Sequence, residues 1–447
     1  VARNIVVCCD GTGNEFGDRN SNVVKLYQVL SRDADQHVAY YHPGVGTMGA
    51  KNALSAAGKA WTKLRGQAFG YGLSENIADA YQYLMNHFAE GDRLYIFGFS
   101  RGAYTARALC GMLQMFGLLS PGNEGLIPYA LRLFKSRDGK WARWRGVPTK
   151  FETAARFRKT FCRACRPHFL GVWDTVSSVG WILDPFSRNN GLPFTHSLQE
   201  VSSVRHAVSI DERRAFFRQN LVLETHRDLK QVWFAGVHAD VGGSYPEAES
   251  GLSKIALAWM IAEARHAQLV FEETKVGDML GGRPDRARPS AHAALHDSLT
   301  PPWWPGELWP KQTRRRVPGS QPPVFRSGLQ PNLFRRRFIA DGATLHASVL
   351  QRRAEVPGYA PSNLPATFGV EPDTVSSPYP VRLAIGQTRE VGVFAREKWN
   401  DTAVGVRPGE TYRFEASGRW RDATIPAGPE GYASPSRFFR LVERFRR

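Results

Sequence analysis

The sequence predicts an α/β fold, a mostly parallel sheet covered by helices on both faces. Three observations carry this. Asn4–Cys9 and Arg93–Phe99 are short runs rich in aliphatic and aromatic residues, suited to strands buried on both sides. Between them, apolar residues recur at helical spacing, as in Ile77, Ala80, Tyr81 and Leu84. Strand and helix signals then keep alternating, and parallel neighbours need such crossovers.

In chain order, Asn4–Cys9 is the first expected strand and Val38–His42 the second, ending at Pro43-Gly44. The stretch from Gly44 to Gly72 holds seven glycines, and reads as a mobile, lid-like loop with a short helix around Ala56–Leu64. Ser74 is the expected N-cap of a helix over Glu75–Phe88. Glu90-Gly91-Asp92 turns the chain into the strand Arg93–Phe99, and a helix over Ala103–Phe116 stops at Gly117. Phe169–Trp173 and Val232–Val237 are further strands, and Leu252–His266 is an amphipathic helix. Ser209–Arg214 reads as a charged, helix-like run.

The texture changes near residue 272. Residues 281–331 are dense in Pro, Gly and Arg, which reads as an irregular basic arm. From about Pro378, short alternating stretches such as Thr411–Ala416 lie between Gly and Pro turns and suggest a small C-terminal β-sandwich. The expected division is therefore a catalytic core over 1–272, an arm over 273–375 that packs on or extends it, and a module over 376–447. That module lacks a clear final strand and is expected to be truncated. No internal repeat is visible.

The chain has 447 residues, with 59 Lys and Arg against 41 Asp and Glu, a net charge of +18. Apolar residues make up 42%, enough for a core, so wholesale disorder is excluded. Leu94–Phe99 and Leu109–Leu119, the longest apolar stretches, fall far short of the ~20 residues that span a bilayer. A soluble protein without a signal stretch is expected, with a few residues missing before Val1. The five cysteines are too few for a disulfide framework, and Cys162–Cys165 lacks a second pair at zinc spacing. Neither a metal nor a cofactor is expected.

Gly98-Phe99-Ser100-Arg101-Gly102 has the GxSxG spacing, directly between an expected strand and an expected helix. A nucleophile elbow needs that context, because the sharp turn lifts the serine hydroxyl clear of the sheet. Its base and acid follow in the order Asp, then His, at the carboxyl ends of later strands. Asp174 follows Phe169–Trp173, and His238 follows Val232–Val237. Ser100, Asp174 and His238 are thus the candidate catalytic residues of an α/β-hydrolase-like sheet. Asp184, Asp211 and Asp240 are rivals for the acid, although Asp240 fits better as a brace for the His238 loop. His206 and His226 precede the strand pattern and read as surface or packing residues.

An oxyanion hole takes backbone N–H groups from the residue after the nucleophile and from a loop after an early strand. Arg101 supplies the first, and Gly11 and Thr12 the second. The same loop fits dinucleotide binding poorly: Gly11, Gly13 and Gly17 leave three residues in the second gap, and no Gly-Lys-Ser/Thr follows. A phosphatase with Asp10 as nucleophile would have Thr12 where a second acid is needed.

The runs CCDGTGN, YYHPGVGT, GDRLYIFGFSRGAYTAR, GVWDTVSSVG, AVSIDERRAFF, VWFAGVHADVGGSY and LHASVLQRR occur in this order over roughly residues 3–353. In this the chain resembles an uncharacterised α/β-hydrolase domain family that includes type VI secretion phospholipase effectors with a GFSRGA elbow. The resemblance implies a serine ester hydrolase of phospholipase type, with Ser100, Asp174 and His238 as its triad. It also implies a lipid or ester substrate, and a secretion-machinery partner. Localisation would be cytoplasmic in the producing bacterium, with delivery to another cell. An esterase on a soluble or polymer-linked ester, or an inactive surface-binding protein, are the alternatives. The stretch Lys398–Thr402 through Ala416–Trp420 resembles galactose-binding sandwiches, with nothing that fixes a sugar or calcium site.

Arg314–Arg316 and Arg335–Arg337 read first as solvated or carboxylate-paired faces, and second as a peripheral contact with anionic membrane. No nucleic-acid partner is expected, because no nucleic-acid motif or stacking-aromatic pattern accompanies them.

Overall fold

Every residue of β1 (Asn4–Cys9) is buried, and its side chains divide between two apolar clusters. Ile5, Val7 and Cys9 enter one, while Val6 and Cys8 enter the other. Successive strand side chains point oppositely, so such a strand lies inside a sheet that is covered on both faces. The computed structural model is built this way. It describes residues 3–11, 17–33, 36–44, 67–136, 148–176, 192–223, 225–283, 285–308, 310–316, 325–373, 383–388, 404, 409–417, 420–422 and 425–427.

The sheet adds β2 (His37–His42), β3 (Arg93–Phe99), β4 (Pro167–Trp173), β5 (Ser203–Ser209), β6 (Leu229–Phe234), β7 (Ala343–His346) and β8 (Phe368–Glu371). Their order is β8-β7-β6-β5-β4-β3-β1-β2, and every neighbouring pair is parallel. On one face lie α2 (Gln67–His87), α3 (Arg101–Phe116) and α4 (Lys150–Phe161), with Tyr81, Leu109, Phe116 and Phe157 in the first cluster. On the other lie α1 (Asn22–Val29) and α6 (Gly251–His266), with Leu26, Leu257 and Trp259 in the second. Burying each large apolar side chain contributes about 1.5–3 kcal/mol. A smaller cluster of Val208, Trp233, Ile339, Leu345 and Val349 closes the β7 end.

Several expectations change. The second helix starts at Gln67, so Ser74 lies inside it; its hydroxyl accepts from Lys135 Nζ instead of capping. The strand expected to reach Val237 ends at Phe234, and His238 instead opens the short helix α5 (His238–Gly242). Residues 210–214 form a bend and an irregular loop after β5, not a helix. β5 itself is missing from the sequence reading because Arg205 and His206 make it look polar. Both are buried and satisfied, Arg205 by Asp228 and Glu263, and His206 by Gln231 and the Thr175 N–H.

The arm is less irregular than expected. It supplies β7 and β8 to the sheet, and Lys311–Arg316 pairs antiparallel with Phe325–Gln330 as a hairpin. The chain divides into two compact units, Val1–Ser376 and Ser377–Arg447. In the second, the described strands are Trp420–Asp422 and Ile425–Ala427, which pair with each other, and Thr411–Ala416 is irregular. The helix expected at Ala56–Leu64 lies outside the described residues. All five cysteines are free thiols. No described helix is long and apolar enough to cross a membrane.

Candidate active site

Ser100 joins β3 to α3 with φ at 59° and ψ at −120°, a conformation that side-chain-bearing residues avoid. The two flanking glycines make this turn possible. A Cβ on Gly98 would lie 2.6 Å from the Gly102 carbonyl oxygen, and one on Gly102 would lie 2.2 Å from that of Cys9. The GxSxG spacing is therefore a packing requirement, letting α3 dock against the end of β1. The Ser100 N–H donates to the Trp173 carbonyl at 3.1 Å, tying the elbow to the end of β4.

Asp174 follows directly on β4, again at positive φ (39°), and is fully buried. Its N–H donates to the Ala207 carbonyl, and its Oδ1 accepts the Ser209 N–H at 3.0 Å, so β5 holds it from both ends. The largest partner comes from the arm. Arg337 donates to both carboxylate oxygens, at 2.5 Å to Oδ1 and 2.9 Å to Oδ2. The same guanidinium also donates to Ser209 and to the Phe217 carbonyl. Burial pushes the Asp174 carboxyl upward, but Arg337 and His238 outweigh it and hold it well below the usual carboxylate range.

His238 stands at the start of α5 with its ring between two aromatics. Phe99 stacks on it at 4.7 Å, and Phe217 meets it edge-on at 4.8 Å. Its Nδ1 lies 2.5 Å from Asp174 Oδ2, and its Nε2 lies 2.8 Å from Ser100 Oγ. An ionised Asp174 only accepts, so Nδ1 carries the proton and Nε2 is left to accept from the serine hydroxyl. Burial lowers the imidazole pKa, and the Asp174 carboxylate offsets that only in part. Glu212, buried beside the loop, accepts the His238 N–H and pairs with Arg214. Burial raises its carboxyl, but the Arg214 bonds and charge bring it down to about 2.

The structure thus brings Ser100, His238 and Asp174 into one hydrogen-bonded chain at the carboxyl ends of β3, β4 and β6. Arg101 opens α3 immediately after Ser100, where helix N–H groups and the helix dipole favour negative charge. Burial lowers its guanidinium to about 10. Gly11 lies at the end of β1, and its N–H donates to Asp10 Oδ1 at 2.6 Å. Thr12 lies outside the described residues, as does Asp184.

The rivals resolve by their partners. Asp10 accepts from Ser21 Oγ at 2.6 Å, from Tyr41 at 2.9 Å and from Gly11, which makes it a loop anchor. Asp211 takes the Gly236 N–H, Tyr359 and Arg336. Asp240 Oδ2 accepts the Val237 N–H, and its Oδ1 takes His296 at 2.6 Å, so it braces the His238 turn. Among the described residues no group of His, Cys, Asp and Glu has the makings of a metal site. The sequence reading missed Arg337, Glu212 and His296. Arg337 lay inside a noticed basic run, whose burial no local pattern betrays.

Residues 3–263 match the family model described as T6SS, Phospholipase effector Tle1-like, catalytic domain. The chain belongs to this family. An uncharacterized protein of Saccharomyces cerevisiae, YEL023C, is 37% identical over 229 residues, which cover 48% of this chain and 32% of that protein. The chain therefore spans about a third of that curated relative. Among solved structures, an uncharacterized protein from Pseudomonas aeruginosa is 20% identical, covering 62% of this chain and 49% of its own, with a TM-score of 0.32. The Tle1 effector bound to the VgrG spike of a type 6 secretion system is 18% identical, covering 75% and 70%, with a TM-score of 0.30. The matched span of this Tle1-like chain includes Ser100, Asp174 and His238, and excludes Arg337.

Proposed function

We propose that this Tle1-like chain is a serine hydrolase of phospholipid carboxylic esters. The observation that carries the reading is the Ser100–His238–Asp174 hydrogen-bonded chain, set on an elbow within a family of phospholipase effectors. In this reading Ser100 Oγ attacks the acyl carbonyl while its proton passes to His238 Nε2. The oxyanion forms beside the start of α3, where the Arg101 N–H is the proposed donor. Gly11 joins it only on giving up its bond to Asp10, and Thr12 is the other donor proposed from that loop. Collapse breaks the ester bond, His238 returns the proton to the leaving alkoxide, and water then releases the acyl group from Ser100. Asp174 fixes the imidazole tautomer and stabilises the imidazolium. No step calls for a metal or cofactor. Delivery by a type VI apparatus, through a partner on that machinery, follows from the family description and belongs to the same proposal.

The test is labelling with a fluorophosphonate probe, alongside product profiling on mixed phospholipids. Ser100→Ala is expected to abolish labelling and to lower phospholipid turnover by ~10⁴-fold or more, with folding unchanged. Equal labelling of the variant and the wild type would overturn the assignment.

A further inference from the structure

Next to the site, the arm displays an apolar surface on a backbone that would otherwise relax. Leu333 and Phe334 are consecutive residues at positive φ, 51° and 58°, and both are exposed, at 46% and 39%. Branched and aromatic residues avoid this conformation, and here neither side chain gains burial from it. The turn is held from below. Glu307 is fully buried, and its Oε2 accepts from Asn332 Nδ2 at 2.5 Å and from the Phe334 N–H at 3.2 Å. Its backbone carbonyl takes the N–H groups of Asn332 and Leu333, and its Oε1 takes that of Ala215.

The short helix α7 (Trp304–Leu308), which carries Glu307, extends the same surface. Trp304 and Leu308, one turn apart, are 49% and 61% exposed, and Trp304 meets Phe334 edge-on at 6.2 Å. The neighbouring Trp303 lies 5.4 Å from Phe217, the ring that walls His238. Between Leu308 and Leu333 the chain makes the hairpin of Lys311–Arg316 and Phe325–Gln330. Residues 311–330 hold five cations, Lys311, Arg314, Arg315, Arg316 and Arg326, and no carboxylate.

We infer that Trp304, Leu308, Leu333 and Phe334 form a docking surface for a lipid bilayer with anionic head groups, seating the site against its substrate. The inference rests on the phospholipase reading above. Aromatic and aliphatic side chains enter the boundary between head groups and acyl chains, and the strongly basic composition of residues 311–330, which join the two halves of the surface in sequence, suits anionic phosphates. Arg336 and Arg337 take no part in this, since both are committed to buried carboxylates. Of the membrane contact expected of both arginine runs, the share of Arg336 and Arg337 therefore passes to the apolar turn.

The experiment is co-sedimentation of the full chain, carrying Ser100→Ala, with phosphatidylcholine–phosphatidylglycerol vesicles. Into it go Leu333→Gly and Phe334→Gly together, since glycine accepts positive φ without strain and the turn is kept. Vesicle affinity is expected to fall about tenfold or more, and the binding that remains to fall further with added salt. In the active background, the same double substitution should leave hydrolysis of a short, soluble p-nitrophenyl ester at wild-type rate. Trp304→Ser with Leu308→Ser, a second route to the same surface, should weaken vesicle binding likewise. Unchanged binding of both double variants would overturn the docking surface. Undiminished phospholipid turnover by Ser100→Ala would instead overturn the hydrolase reading, leaving the binding result intact.

Discussion

Residues 3–263 and the arm of residues 273–373 contribute to one site in different ways. The first region supplies Ser100, Asp174 and His238, each placed by a turn that closes a strand or opens a helix. The second supplies groups that hold those turns: Arg337 on Asp174, His296 on Asp240, and Ser298 on Glu212. Within the first region the positions are set by tight turns and neighbouring strands, as by Gly98 beside Ser100 and by β5 around Asp174. Positions in the second are set across long separations, 163 residues in the case of Arg337 and Asp174. Ser100, Asp174 and His238 thus stand on turns of the sheet, whereas the cation that makes a buried Asp174 tolerable arrives from far along the chain.

The largest test breaks that division at its strongest contact. Arg337→Met would leave the Asp174 carboxylate buried with one ionic partner fewer, a change that costs about 3–5 kcal/mol in such pairs. Chemical denaturation should show this loss, and Arg337→Lys should recover part of it. A variant as stable as wild type would mean that Arg337 is incidental.

The second test concerns proton balance. Burial lowers the His238 pKa, so the neutral, proton-accepting ring persists below the ordinary imidazole value of about 6.5. On a soluble ester, kcat/KM should therefore stay level as pH falls through that value and decline only beneath it. In Arg337→Lys, whose cation fits the carboxylate less well, Asp174 is freer to stabilise the imidazolium, and the decline should move to higher pH. A limb at the same pH in both proteins would separate the arm from the chemistry.

The smallest effect is expected at His296. Burial lowers its pKa, but Asp240 and Glu249 outweigh this and raise it, so it is charged more readily when folded. The stabilisation is fully present below the unfolded value of about 6.5, and fades as pH rises through the folded one. His296→Gln should cost about 1 kcal/mol near pH 5.5 and less above pH 8, given its partial exposure. Equal losses at both pH values would show that charge is not what His296 contributes.

Much of the first region was legible in the sequence. Asn4–Cys9 and Arg93–Phe99 are apolar on both faces because helices cover both, and that leaves a continuous pattern. The meeting place of Ser100, Asp174 and His238 could be read because strand ends in a parallel sheet converge on one edge. β5 was not legible, since Arg205 and His206 find their partners on other strands and helices. Nor was the start of α2, where Gly70 and Gly72, poor helix formers, disguise the helix. Arg337 was hidden for a related reason: in sequence, a buried arginine beside two exposed ones is simply a basic run.

The separation between Asp174 and Arg337 also has a timing consequence. At ordinary synthesis rates, a growing chain would need roughly 10–30 s to advance from one to the other. For the later part of that interval, once residue 238 is passed, Ser100, Asp174 and His238 have all been made, yet the carboxylate lacks the cation that makes its burial tolerable. A nascent polypeptide cut short between residues 238 and 337 would carry all three side chains, with Asp174 one ionic partner short. Synthesis of the arm thus decides when the buried ion pair at Asp174 can close.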